Sequence, residues 1–302
     1  MQGNFQVRTD LALETRESFA KDHVEIRGVR IEEAADEEHE LYTTTVVIET
    51  ENGARAMGKP VGNYITLEAP NLSSENEEEQ RRVSEMLAGY VRKLLGERDA
   101  VLVVGLGNRE VTPDALGPQV VNQLQITRHM VREYGKSYSG KMNRIVSAVV
   151  PGVMAQTGME TLEMVRGIVR ETKPEAVIAI DALAARSTRR LNRTIQITDT
   201  GINPGSGVGN HREGIREDLL GIPVIAIGVP TVVDAATIVN DAMEQVAEAR
   251  EYQQSLRERI AMQLSTMFVT PKDIDETIRR VSFTLAEALN IAFSDAPISD
   301  IK

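Results

Sequence analysis

The stretch AVLVVGLGNREVTPDALGPQVV, Ala100 to Val121, decides the fold. It runs from an unbroken apolar segment through a glycine turn and a short polar loop into a helical pattern. A short apolar run bounded by turn residues reads as a strand buried on both faces. The same alternation recurs downstream. RIVSAVVPG is a second strand, followed by the helix METLEMVRGIVRET; EAVIAIDALA and PVIAIGVP are two further apolar runs, and VVDAATIVNDAMEQVAEAR reads as the helix after the last of them. Strands alternating with helices predict an α/β fold, a mostly parallel sheet covered by helices. In such sheets the sites lie just beyond the carboxyl ends of the strands.

The flanking regions read differently. Residues 1–40 are polar and end in EEAADEEHE, a solvated surface segment. LYTTTVVIET and NYITLEAP are β-branched runs on either side of a glycine-containing turn region and predict a strand pair. SSENEEEQRRVSEMLAGYVRKLLGE places Val83, Leu87, Val91 and Leu94 at helical spacing, with acids in the first turn where the helix dipole favours them. ALGPQVVNQLQITRHMVREYG is read as one helix stopping at Gly135, and DIDETIRRVSFTLAEALNIAF as a terminal helix. From Ala184 to about residue 222 runs a long polar, glycine-rich excursion, with TIQITDT as a small strand inside it.

Composition narrows the chemistry. The chain has 302 residues, 41% hydrophobic, enough for a large core. Its net charge of -11 argues against a general nucleic-acid binder, which needs a basic face to displace counterions. There are no cysteines, so disulfides, thiolate metal sites and thiol nucleophiles are excluded. The N-terminal sequence has no apolar core of signal-peptide type, and no stretch approaches the roughly 18 uncharged apolar residues of a membrane span, so a cytoplasmic location is expected.

Two acids fall where a site is expected, Asp114 in TPDALGP and Asp181 in AVIAIDALAA. Asp114 alone reads as well as a helix cap behind Pro113. Asp181 follows AVIAI and precedes apolar residues, where a carboxylate is costly unless paired or chemically employed. Two such acids at neighbouring strand ends can share a site in which like charges hold one proton between them, although structural carboxylates give the same pattern. GLGN, Gly105 to Asn108, lacks the third glycine of a dinucleotide fingerprint and reads as a tight turn. GINPGSGVGNHREG lacks the lysine of a phosphate loop, and no serine stands in a nucleophile elbow. His211 lies in that second loop; with Asp114 and Asp181 it offers a divalent-metal alternative. Arg186, Arg189 and Arg190 form a basic cluster after Asp181, suited to pair with the site's acids or to receive acidic residues of a substrate.

Longer blocks carry a resemblance. FQVRTDLALE, VVGLGNREVTPDALGP, SAVVPGVMAQTGMET, IAIDALAARSTRRLN and TIQITDTGINPGSGVGNHR together resemble the germination proteases of spore-forming bacteria, over nearly the whole chain. The resemblance implies an endopeptidase that degrades the small acid-soluble proteins of spore DNA during germination. It implies a fold related to the hydrogenase maturation proteases, a tetramer in the spore interior, and a self-processing precursor. It also implies an atypical aspartic peptidase, with Asp114 and Asp181 as the essential pair and no cofactor or metal. RTDLA places an acid before an apolar residue, so a pro-segment at 1–10 and a cut between Asp10 and Leu11 are expected. The remainder, 11–302, is then one peptidase domain: a strand pair and helix at 11–98, and an α/β core at 99–302 with the excursion at 184–222. Gly107, Asn108, Arg186 and His211 are candidates for contacting the substrate or oxyanion. Neither direct nucleic-acid binding nor a membrane partner is expected. The competing reading is a metal-dependent maturation peptidase of the related fold using Asp114, Asp181 and His211.

Overall fold

The computed structural model describes residues 9–15, 26–135, 144–203, 213–245, 263–264 and 266–294. Among them nine strands form one sheet: β1 Val29–Asp36, β2 Leu41–Ile48, β3 Gly62–Glu68, β4 Ala100–Gly105, β5 Ile145–Val149, β6 Ala176–Ala185, β7 Thr194–Thr198, β8 Val224–Asp234 and β9 Phe268–Val269. The order is β1-β2-β3-β7-β8-β6-β4-β5, with β9 added on β8.

The α/β class is as the apolar runs require. β8, β6, β4 and β5 pair in parallel, and β4, β6 and β8 are buried almost throughout because helices cover both faces. On one face Val101, Val103, Ile178, Ile180 and Ile227 meet the helices Glu77–Leu95, Leu116–Asn122 and Ile274–Ala292. On the other, Leu102, Val104, Val177 and Ala179 meet Val165 and Val169 of the helix Thr161–Thr172. The strict alternation of these residues between two clusters is the period-two geometry of a strand.

The remaining strands β1, β2, β3 and β7 join edge to edge in antiparallel register and continue the same sheet beyond β8. Within the segment read as solvated surface, residues 29–36 form the strand β1, which the sequence reading did not assign. Its side chains are mostly exposed because it is the sheet edge, so the strand rests on backbone pairing with β2 and leaves no hydrophobic alternation to read. The turn region between β2 and β3 holds a short helix, Glu51–Met57, capped by the Thr50 side chain accepting from the Gly53 N–H. The helix expected from Ala115 to Gly135 is two, Leu116–Asn122 and Arg128–Tyr134, separated where Thr127 turns aside to bond β5: its hydroxyl accepts the Val146 N–H at 2.9 Å. Likewise VVD belongs to β8, and its helix begins only at Ala235.

Residues 11–15 lie on the sheet face that carries Val177 and Ala179. Leu11 is fully buried against Leu183, Ala185, Leu191 and Val233, and Ala12 packs with Val46, Ile48, Met57 and Tyr64.

Candidate active site

Asp114 closes a 3-10 turn, Thr112–Asp114, that follows β4. The turn is fastened from two sides. The Thr231 hydroxyl of β8 donates to the Pro113 carbonyl at 2.7 Å, and the Asp114 N–H donates to Val111 at 2.8 Å. The helix behind it, Leu116–Asn122, has no side-chain cap at Ala115. The Asp114 carboxylate instead accepts the Asn108 N–H at 2.8 Å, which holds it against the glycine turn. Gly107 has φ +111 and lies so close that an added Cβ would collide with the Asp114 carbonyl and stand 3.1 Å from Oδ1. This is the physical reason for glycine in GLGN, and it is a turn rather than a nucleotide fingerprint.

The helix Leu116–Asn122 is drawn onto the strand ends by a second glycine. A Cβ on Gly117 would lie 2.5 Å from the Leu106 nitrogen and 2.6 Å from the Ile180 carbonyl oxygen. That carbonyl, in β6, accepts the N–H of Leu106, the residue after β4, at 2.8 Å. Asp181 is the next residue after Ile180, as Gly107 is the next after Leu106. Asp114 is half-buried in the turn after β4, whereas Asp181 is buried inside β6, which runs on to Ala185. Asp181 lies just past the level at which β4 ends, where Gly105 pairs with Ile180, so the strand-end position expected for it holds relative to β4 and not within its own strand. Asp181 Oδ1 accepts the Ala182 N–H at 3.0 Å.

In β6, Asp181 shares its face with Val177, Ala179 and Leu183. Its partner across β8 is Gly228, and the partner of Gly228 across β7 is Gln196. A row of three thus crosses the sheet, with a missing side chain between a carboxylate and an amide.

The expected processing site lies on this same face. The Asp10 N–H donates to the Ala184 carbonyl at 3.1 Å, and the Ala184 N–H returns a bond to Asp10 Oδ2 at 2.9 Å. The carbonyl of the Asp10–Leu11 peptide accepts from Lys59 Nζ at 2.8 Å and from Gln196 Nε2 at 3.2 Å. The Ala12 N–H donates to Gln196 Oε1 at 2.7 Å. Burial holds the Lys59 ammonium below the usual lysine range, while the Asp10 and Glu14 carboxylates push it back up. Glu14, also buried, accepts the N–H groups of Arg186 and Ser187 at 2.8 and 3.0 Å, with Arg190 Nε at 3.6 Å.

Of the residues singled out from sequence, Asp10, Leu11, Gly107, Asn108, Asp114, Asp181 and Arg186 fall on this end of the sheet; His211 lies outside the described residues. Among the described residues no group of three or more His, Asp or Glu side chains is placed to hold a metal ion. Lys59, Gln196 and Glu14 went unread in the sequence. Lys59 stands in a plain MGKPVG turn, and Gln196 is the amide between two isoleucines in TIQIT, with nothing local to mark it.

The family model described as germination protease matches residues 7–263. A germination protease of Caldanaerobacter subterraneus subsp. tengcongensis is 45% identical, over 95% of this chain and 94% of its own. One from Clostridium perfringens is 43% identical over 95% of each. The match to a [NiFe] hydrogenase maturation protease, HycI, from Thermococcus kodakarensis has 16% identity and a TM-score of 0.34, covering 66% of this chain and 98% of that one. The family model defines a peptidase. The chain belongs to the germination protease family.

Proposed function

We propose that the chain is an endopeptidase that degrades small acid-soluble spore proteins during germination, and that it is made as a precursor which cuts itself between Asp10 and Leu11. The observation that carries this reading is the seat of the Asp10–Leu11 peptide. Its carbonyl is gripped by Lys59 and by Gln196, which stands in one row with Asp181, two strand spacings or about 10 Å away, with the Leu183 side chain lying over Gly228 between them. In this reading residues 1–10 are the pro-segment and 11–302 the peptidase domain.

The chemistry assigned to the site is hydrolysis by two aspartates. One carboxylate takes a proton from water as the water oxygen bonds to the peptide carbon; the other, protonated, gives its proton to the departing nitrogen as the C–N bond breaks. Asp114 and Asp181 are the pair. The Asn108 N–H already serves the Asp114 carboxylate, so we assign Asn108 to holding that acid. Lys59 and Gln196 are the donors that face the carbonyl oxygen on which negative charge develops. No metal or cofactor enters this scheme. The protein acts in the spore interior as a homotetramer, with protein rather than DNA or membrane as its partner; no helix among the described residues is long and apolar enough to cross a membrane.

The test is incubation of the processed protein with a purified small acid-soluble spore protein, followed by sequencing of the products. Cuts after an acidic and before an apolar residue are expected. Intact substrate, or cuts without regard to sequence, would sink the reading. Full activity after exhaustive chelation separates it from a metal peptidase using Asp114, Asp181 and His211.

A further inference from the structure

β6 and β8 pair residue for residue up to the level of Thr231. Leu183 pairs with Pro230, but Ala184 pairs with Val232, so Thr231 is one residue too many in β8. Such a bulge turns a side chain out of its strand's alternation, and bulges gather beside active sites for that use. The sequence GVPTVVD explains its place: Pro230 has no N–H to give a ladder, so a break in pairing costs little there. The backbone around the extra residue is well held. The Pro230 carbonyl accepts the Asn192 N–H at 2.7 Å, and the Thr231 carbonyl accepts the Thr270 hydroxyl at 2.9 Å. The Thr231 side chain, at 1% exposure, gives its own hydroxyl to the Pro113 carbonyl at 2.7 Å.

That carbonyl and the Asp114 N–H belong to one peptide unit, which is a rigid plane. Thr231 holds its oxygen and the Val111 carbonyl holds its N–H at 2.8 Å, so the plane cannot rotate and the direction of the Asp114 Cα–Cβ bond is set. The Asn108 N–H fixes the far end, the carboxylate. Asn108 and Val111 belong to the same loop as Asp114 and shape it from within. Thr231 refers that loop to β8, the strand that pairs with Asp181 at Gly228. We infer that Thr231 is a positioning residue for Asp114, and that the bulge in β8 aims its hydroxyl so that the two acids keep one frame. The inference rests on the reading that Asp114 and Asp181 carry out the hydrolysis. Thr231 acts through Asp114 and not on the substrate, so its effect belongs to kcat: a misplaced acid leaves substrate binding as it was but meets the attacking water badly.

The experiment compares the processed native protein with Thr231→Val, which keeps the side chain's shape and loses the hydroxyl, and Thr231→Ser, which keeps the hydroxyl. On a purified small acid-soluble spore protein, Thr231→Val should lose about tenfold in kcat with KM within about twofold, and Thr231→Ser should stay within about threefold of native. The Asn108 amide, whose N–H is on the Asp114 carboxylate, should exchange with deuterium about tenfold faster in Thr231→Val and regain its protection in Thr231→Ser. Leu289→Ala, destabilised away from the turn, should keep the native kcat. An equal fall in kcat in Leu289→Ala marks a merely structural threonine and overturns the inference. Native kcat in Thr231→Val beside an inactive Asp114→Asn overturns it alone, whereas normal turnover in Asp114→Asn removes the acid pair and the inference together. A native protein that cuts nothing defeats the functional reading, and the amide then decides the positioning: unchanged protection at Asn108 refutes it. Should Thr231→Val not fold, Thr270→Val slackens the bulge from its other side and is held to the same criteria at about threefold.

Discussion

Asp114 and Asp181 are held by different means, and their substitutions should report different things. Asp114 is oriented by one backbone N–H from a glycine turn, whereas Asp181 is set by the strand itself. Asp114→Asn and Asp181→Asn should each fold, as judged by circular dichroism, yet lose cleavage by at least about a hundredfold, the usual scale of an acid–base group. Normal turnover in either variant would remove that residue from the pair. Gly107→Ala tests the same acid from its support. With φ +111 and the Asp114 backbone in the way, the variant should lose more than about 1 kcal/mol in denaturant unfolding and most of its activity. Tyr64 gives a titration. Burial raises its hydroxyl to about 12, and that hydroxyl donates to the Pro60 carbonyl at 2.9 Å. The neutral form belongs to the folded state, so its contribution is intact below the ordinary tyrosine range and is lost as pH climbs toward 12. Stability measured from pH 9 to 12 should fall more steeply for the native chain than for Tyr64→Phe.

The elements show what residue patterns can reveal. β4, β6 and β8 were legible because a strand buried on both faces has to be apolar throughout, and Asp181 inside β6 stood out against that background. β1 was illegible for the opposite reason: an edge strand exposed on both faces keeps its place by N–H and C=O groups that every residue has. The break between Leu116–Asn122 and Arg128–Tyr134 depends on Thr127 bonding to β5, a partner nineteen residues away. The site divides in the same way. Position at a strand end can be read locally, but the grip on Asp10 comes from Lys59, Ala184 and Gln196, which only the fold brings together. The layer covering the sheet is held by the pairing of the helices Glu77–Leu95 and Ile274–Ala292, where Leu285 and Leu289 are buried beside Leu87 and Val91. Leu289→Ala should cost about 2–5 kcal/mol, seen as a lower denaturant midpoint.

At the scale of the molecule, β7 and β8 splice an antiparallel half onto a parallel half, and the N-terminal residues lie across that splice. Asp10 contributes four hydrogen bonds there, two with Ala184 and one each from Lys59 and Gln196. A chain beginning at Leu11 should therefore melt below a full-length Asp181→Asn precursor, by about 5 °C if the net loss is about 2 kcal/mol. Equal melting would mean that the segment adds nothing to the folded state.

Leu11 sits in an oily pocket with its nitrogen against the Thr9 hydroxyl. While the peptide is whole that nitrogen is a neutral amide and rests there at little cost. In the proposed self-cleavage it would become an ammonium ion at the mouth of that pocket, opposite a new carboxylate held by Lys59 and Gln196. Only the amine end would then gain by moving out into water, while the carboxylate keeps its two donors, so the proposed scission would act as a ratchet at one end: the apolar lining that seats Leu11 works against rejoining.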